Sequence, residues 1–262
     1  MRTRLDAELV RRGLARSREN AQQLIESGSV LVSGMPAKKP ATQVDAETSI
    51  TVNGKIDEYV SRGAYKLIGA LDSFPDLQVT DRRALDAGAS TGGFTEVLLK
   101  RGAREVVAVD VGYGQLAWPL QQDPRVKIFD RTNARSISLS LIGEPVDLLV
   151  ADLSFISLKT VLPALAAVAQ PNADFLLMVK PQFEVGREQL GAGGVVREPE
   201  LRKSAILGVA RAAYSLGLGA LGVAASPLPG PSGNVEYFLW LRKGAPEILE
   251  KVVEGAIAKG PE

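Results

Sequence analysis

From residue 82 onward, short apolar runs alternate with longer segments of helical period. RRALDAGA (82–89), EVVAVDVG (105–112), VKIFD (126–130), VDLLVADLS (146–154) and DFLLMVK (174–180) are near-continuous apolar stretches. They lack the in–out alternation of a half-exposed strand, so they read as strands covered on both faces. Between them, TEVLLKRG (95–102) and LKTVLPALAAVAQ (158–170) carry helical spacing. This alternation predicts a βαβ series, an α/β fold with a doubly wound, mostly parallel sheet. AILGVARAAYSLGL (205–218) adds a helix, and LGVAAS (221–226) and VEYFLWL (235–241) close a seven-stranded sheet.

The first 55 residues follow another pattern. Leu5, Leu9 and Val10 fall at helical spacing with Gly13 as a stop, and Ser17 is placed to cap a second helix whose inner face is Ala21, Leu24 and Ile25 and which Gly28 ends. VLVSG and TSITVNG read as short strands. The pattern predicts a small α+β domain over residues 1–55, a polar linker over 56–62 and a large domain over 63–262. Charge sharpens the division. The whole chain is nearly neutral at +1, but residues 1–42 hold eight Arg or Lys against four acids. Arg4, Arg11, Arg12, Arg16 and Arg18, with Lys38 and Lys39 in the following loop, form a basic cluster of the kind that binds nucleic acid. A solvated helix face is the plainer alternative.

Composition removes several chemistries. The 262 residues contain no Cys and no His, so a Cys–His pair, a Ser-His-Asp triad, a thiolate or imidazole zinc site and a disulfide are all excluded. MRTRLDAELVRR has no apolar core of a secretory signal, and no run of about 18 apolar residues occurs. The expectation is a soluble cytoplasmic protein, monomeric by default, with no metal. Proton chemistry must use Lys, Asp, Glu, Tyr or water.

ALDAGASTGGFTEVLL places a strand, a glycine-rich turn and a helix in succession, with Gly88, Gly92 and Gly93 permitting close backbone approach to a ligand. Asp86 and Asp110 lie at the ends of the first two strands, and an acid there can accept hydrogen bonds from a ribose diol. No phosphate-cradling G-x-x-x-x-G-K-[ST] loop is present. Spacing alone fits NAD or S-adenosylmethionine equally. Four further charges stand among apolar residues: Lys66 in SRGAYKLIGAL, a helix expected to be capped by Ser61, then Asp152, Lys180 and Glu236 at strand ends. Two lysines and two acids at one sheet edge would offset each other's burial, as structural ion pairs or as a reactive set.

Several of these segments resemble known families. RLDAELVRRGLARSRENAQQLIESGSVLVSG is similar to an S4 RNA-binding domain. DAGASTGGFTEVLL resembles the first motif of FtsJ-type methyltransferases, and the order Lys66, Asp152, Lys180, Glu236 resembles the tetrad of FtsJ-like ribose 2′-O-methyltransferases. Together with VADLSFISL, VKPQFEVG and SPLPGPSGNVEYFLWL, these blocks are similar to the TlyA/hemolysin A family. The resemblance implies a Rossmann-like class I methyltransferase fold behind an S4 domain, with S-adenosylmethionine as cofactor and ribosomal RNA as substrate. It implies methyl transfer to cytidine 2′-hydroxyls of 16S or 23S RNA. Cofactor contacts fall to Asp86, Gly88, Ser90, Gly92, Gly93, Phe94, Asp110, Asn133, Asp152 and Phe155. In this reading Lys180 deprotonates the hydroxyl, Lys66 holds the substrate, and Asp152 and Glu236 orient the two ammonium groups. Ser232 and Asn234 border the substrate pocket, and Tyr113 and Trp118 are either loop packing or a stacking surface. One departure is the linker, where DEYV stands in place of a Trp-containing R-A-W-V. Base methylation, an inactive RNA-binding assembly factor and a membrane-lytic protein are the competing readings. The last finds no hydrophobic hairpin or long cationic amphipathic helix in the sequence.

Overall fold

At the N-terminus of the computed structural model, which describes residues 2–15, 17–53, 59–230 and 232–260, helices α1 (Leu5–Arg11) and α2 (Arg18–Glu26) pack on short strands. These are β1 (Thr3–Arg4), β2 (Val30–Val32), β3 (Met35–Pro36), β4 (Gln43–Val44) and β5 (Ile50–Val52). Gly13 and Gly28 take positive φ past the helix ends, and the Ser17 hydroxyl accepts from Asn20 N–H at 3.1 Å. Leu5, Leu9, Ala21, Ile25, Val30, Val44 and Ile50 make a separate apolar core. Arg16 and residues 54–58 lie outside the described residues.

Helix α3 (Gly63–Ser73) precedes the large sheet. The chain then runs β6 (Arg83–Ala87), α4 (Gly93–Lys100), β7 (Glu105–Val109), α5 (Trp118–Gln121), β8 (Val126–Phe129), α6 (Leu139–Ile142), β9 (Val146–Ala151) and α7 (Leu158–Ala167). It continues through β10 (Ala169–Val179), α8 (Pro181–Glu184), α9 (Pro199–Tyr214), β11 (Leu218–Ala225), β12 (Tyr237–Lys243) and α10 (Glu250–Ala258). The spatial order is β11-β12-β10-β9-β6-β7-β8, and all seven predicted strands are present. Strands β8, β7, β6, β9 and β10 are parallel, and β12 runs against both its neighbours. Apolar clusters cover both faces, one around Leu85, Leu149, Phe175 and Leu239, the other around Leu98, Leu148, Leu176 and Phe238. That double cover is why the strands read as unbroken apolar runs.

Two local expectations are corrected. Ser61 does not cap α3: the N-cap position is Arg62, with no side-chain cap bond, and Ser61 supplies only its backbone carbonyl to Ala64 N–H. The helix expected over 158–170 ends at Ala167, because Ala169 already pairs with Val146 and residues 169–173 extend β10 through an irregularity.

The chain winds outward from β6 through β7 to β8, then crosses back to β9 and β10. The order therefore reverses between β6 and β9, and a crevice outside the carboxyl ends of the strands is expected there. Because β12 is antiparallel, its first residues lie at that same edge.

Candidate active site

The loop after β6 meets the loop after β9 at this reversal. Gly88 has φ +89°, and a Cβ on it would stand 2.5 Å from the Asp152 carbonyl, so only glycine fits without displacing backbone. The following turn is tight throughout, with Ser90 at φ +48° and Gly92 at +96° as the N-cap of α4. Non-glycine residues with positive φ are uncommon, and here Ser90 and Phe155 (φ +62°) border the same hollow.

Two adjoining cavities open along this edge. One, of about 470 Å³, is lined by Gly88, Ser90, Asp110, Asn133, Asp152 and Phe155 among others. Asp110 accepts from the N–H groups of Ser90 at 2.9 Å and Gly112 at 2.7 Å, which fixes its carboxylate on the rim. Asn133 accepts from Arg135 N–H and caps a short 3₁₀ turn. Phe155 is 92% exposed and packs against Phe183 with ring centroids 5.3 Å apart, leaving a bare aromatic face. A carboxylate suited to a diol, an exposed ring and apolar Val111 and Ile156 together fit a nucleoside.

The second cavity, of about 630 Å³, holds the lysines. Lys180 Nζ lies 2.6 Å from Asp152 Oδ1 and donates to Ser154 Oγ at 3.0 Å. Lys66 Nζ donates to Glu236 Oε2 at 2.5 Å. Lys66 and Glu236 are both almost fully buried, whereas the Asp152 side chain is 23% exposed and borders both cavities. Glu236 Oε1 has no hydrogen-bond partner, and a Cβ at Gly230 would stand 2.7 Å from it. Gly88, Ser90, Gly93 and Phe94 line this cavity too, as do Ser17, Glu19, Asn20 and Gln23 of α2 and its N-cap.

Other expected contacts lie elsewhere. Asp86 is fully buried and lines neither cavity; it accepts from Thr95 Oγ1 of α4 at 2.7 Å. Burial, with Asp152 nearby, pushes its carboxyl up to about 7 against the Thr95 hydrogen bond, and Oδ1 is unpartnered. Its carboxyl therefore ties β6 to α4 and faces neither cavity. Gly92 faces Leu116 and Leu120. Asn234 is buried and ties a neighbouring loop, accepting from Val196 N–H and donating to the Gly194 carbonyl; neither it nor Ser232 lines a cavity. Tyr113 and Trp118 are exposed, with the Arg131 guanidinium 4.3 Å from the Tyr113 ring.

In the N-terminal module, the buried carboxylates Asp6 and Glu8 organise the basic cluster. Arg4 and Arg18 pair with Asp6, and Arg11 and Arg12 with Glu8. Arg4 holds Asp6 well below the usual carboxylate range, and Arg11 and Arg12 bring Glu8 down to about 2. Arg12 also donates to the Thr48, Asp45 and Ala46 carbonyls, so its guanidinium is spent within the module and is withdrawn from the nucleic-acid set. Arg4, Arg11 and Arg18 remain partly exposed, and Lys38 and Lys39 are exposed.

Sequence reasoning missed Ser154 and Glu184. Glu184 is buried between the segments that follow β9 and β10; it accepts from Ser157 Oγ at 2.6 Å and Leu158 N–H at 2.7 Å. It thereby satisfies the first turn of α7 and clamps the Asp152–Ser157 loop to the Lys180 segment. Only topology brings these residues together, and no local signal announces the pair. Where the linker re-enters the described residues, Val60 N–H donates to Glu96 of α4 at 2.6 Å, and Lys100 sits 4.0 Å from the Tyr59 ring.

Comparison with known proteins bears on both parts of the chain. The FtsJ-like methyltransferase model matches residues 59–243, and the S4 domain model matches residues 3–50. A curated Mycobacterium tuberculosis protein, "16S/23S rRNA (cytidine-2'-O)-methyltransferase TlyA", is 60% identical over 99% of both chains. "Hemolysin A" of Brachyspira hyodysenteriae is 34% identical over 89% of this chain and 97% of its own. A solved structure from Streptococcus thermophilus, carrying a hemolysin name, superposes with a TM-score of 0.76 at 36% identity, covering 98% of this chain and 95% of that one.

Proposed function

Because the chain belongs to the FtsJ-like methyltransferase family, with an S4 domain ahead of the catalytic sheet, we propose that it methylates the ribose 2′-hydroxyl of cytidine in ribosomal RNA. The observation that carries this reading is the pair of lysine–carboxylate contacts, Lys180–Asp152 and Lys66–Glu236, at the rim of a cavity adjoining the nucleoside-shaped one. The named substrate of the 60% identical relative agrees with it. Methyltransferases of this family use S-adenosylmethionine, which supplies, when bound, a methyl group already activated on a sulfonium.

The residues present fit that cofactor. Asp110 would take the ribose diol, Phe155 and Asn133 the adenine, and the Gly88–Ser90 turn would let the backbone approach. What remains for the protein is to orient a weakly acidic hydroxyl and remove its proton. Lys180, uncharged in the reactive form, accepts that proton at Nζ; Asp152 holds the amine in place. Lys66, fixed by Glu236, presents its ammonium to the substrate oxygen or the neighbouring phosphate. The exposed Arg11, Lys38 and Lys39 grip the RNA backbone at a distance from the chemistry.

The test is to incubate the protein with tritiated S-adenosylmethionine and unmodified ribosomal subunits, then digest the RNA to nucleosides. Label in 2′-O-methylcytidine is the expected result. Label on a base would replace this reading with base methylation, and no label with RNA binding intact would favour an assembly factor.

A further inference from the structure

An amine that acts as a base presents two N–H groups and one lone pair, roughly tetrahedral about nitrogen. With a single hydrogen-bond acceptor, one N–H is fixed and the lone pair can take either of the two remaining directions. A second acceptor group in one of those directions removes the ambiguity. In this structure Lys180 Nζ has two oxygen neighbours, Asp152 Oδ1 at 2.6 Å and Ser154 Oγ at 3.0 Å. Both come from the loop that follows β9, and the side of Nζ left over belongs to the larger cavity, which Lys180, Lys66 and Ser154 line together.

Ser154 is suited to accept. It is exposed, so water can take its own hydroxyl proton while Oγ faces the amine. Its loop is not free to drift. Phe155, the next residue, holds φ +62° and packs at a tilt against Phe183, and Glu184 secures Ser157 and Leu158 from the segment that carries Lys180. Strain of this kind persists only where the surroundings over-determine it.

We propose that Ser154 is a positioning residue: it accepts one N–H of uncharged Lys180 while the Asp152 carboxylate lies against the amine from another side, and the lone pair is so aimed into the cavity, at the hydroxyl to be deprotonated. The inference rests on the 2′-O-methylation reading. The proton passes from the hydroxyl to Nζ, and the electron pair stays on the oxygen that becomes the nucleophile.

The experiment compares Ser154→Ala and Ser154→Thr with the wild type on unmodified ribosomal subunits, measuring kcat, KM for RNA, cofactor Kd and melting temperature. Ser154→Ala is expected to lose about tenfold to 100-fold in kcat, the scale of a misaligned reactive group, with KM, Kd and melting temperature unchanged. Ser154→Thr keeps the hydroxyl and is expected to stay close to wild type. Unchanged kcat in Ser154→Ala overturns the proposal, as does an equal loss in both variants or a loss that appears only in KM or Kd. Wild-type label found on a base instead of the ribose overturns the parent reading. Ribose label in the wild type with an unaffected Ser154→Ala overturns the serine's role alone.

Discussion

Asp110, Asp152 and Lys180 each occupy the first position past the end of a parallel strand, β7 ending at Val109, β9 at Ala151 and β10 at Val179. Glu236 stands one residue before antiparallel β12, which is the same edge. A side chain one step beyond the last strand residue clears the packed faces and enters the crevice. Asp86 stands two residues before the equivalent position, which Gly88 occupies, so it lies inside β6 and its carboxyl accepts from Thr95 of α4. Spacing alone placed Asp110, Asp152, Lys180 and Glu236 near strand ends, whereas the burial of Asp86 inside β6 depends on α4 packing over it and is not legible from spacing. Its consequence is testable. A carboxyl raised from its ordinary range to about 7 stays protonated in the fold while the unfolded chain releases its proton. Stability from this residue is complete below about pH 4 and is lost as pH rises toward 7. Asp86→Asn should therefore remove a fall in melting temperature between about pH 4 and 7 that the wild type shows; an identical fall in both proteins would contradict it. The lysine pairs differ in a similar way. Glu236→Ala strands a buried ammonium and should cost about 3–5 kcal/mol of stability, read by denaturant unfolding. Asp152, open to water once Lys180 is removed, predicts a much smaller loss for Lys180→Ala.

At the level of elements, the seven strands were legible because both sheet faces are covered, which writes each strand as an apolar run. Contacts between loops were not. Glu184 and Ser157 are 27 positions apart, and only the adjacency of β9 and β10 unites them. Glu184→Ala should loosen the loop carrying Asp152, Ser154 and Phe155, weakening cofactor binding and kcat together by about tenfold or more; calorimetry and turnover measured side by side check this. Glu184→Gln, which retains an acceptor for Leu158 N–H, should be milder. In the N-terminal helices, charge counting could not separate arginines that face outward from one consumed internally. Arg12→Ala should lower melting temperature, because three backbone carbonyls and Glu8 lose their donor. Lys38→Ala with Lys39→Ala should leave melting unchanged, weaken RNA binding and flatten its salt dependence, by about one unit of slope for each phosphate no longer neutralised.

For the whole molecule, division of labour follows from the separation of cores. The apolar clusters on the two sheet faces contain only residues from Tyr59 onward, and the N-terminal core is complete by residue 52. A protein lacking residues 1–53 should melt cooperatively and bind S-adenosylmethionine, yet methylate ribosomal subunits far more slowly. Among the described residues no helix is long and apolar enough to cross a membrane. The central claim is that Lys180 removes the proton from a ribose 2′-hydroxyl. Its most direct test is single-turnover methylation of unmodified ribosomal subunits by wild type and Lys180→Ala, with cofactor and RNA both saturating. The account predicts 2′-O-methylcytidine from the wild type and a loss of at least about 100-fold in the variant, with both ligands still bound. Near-normal turnover by Lys180→Ala would contradict it.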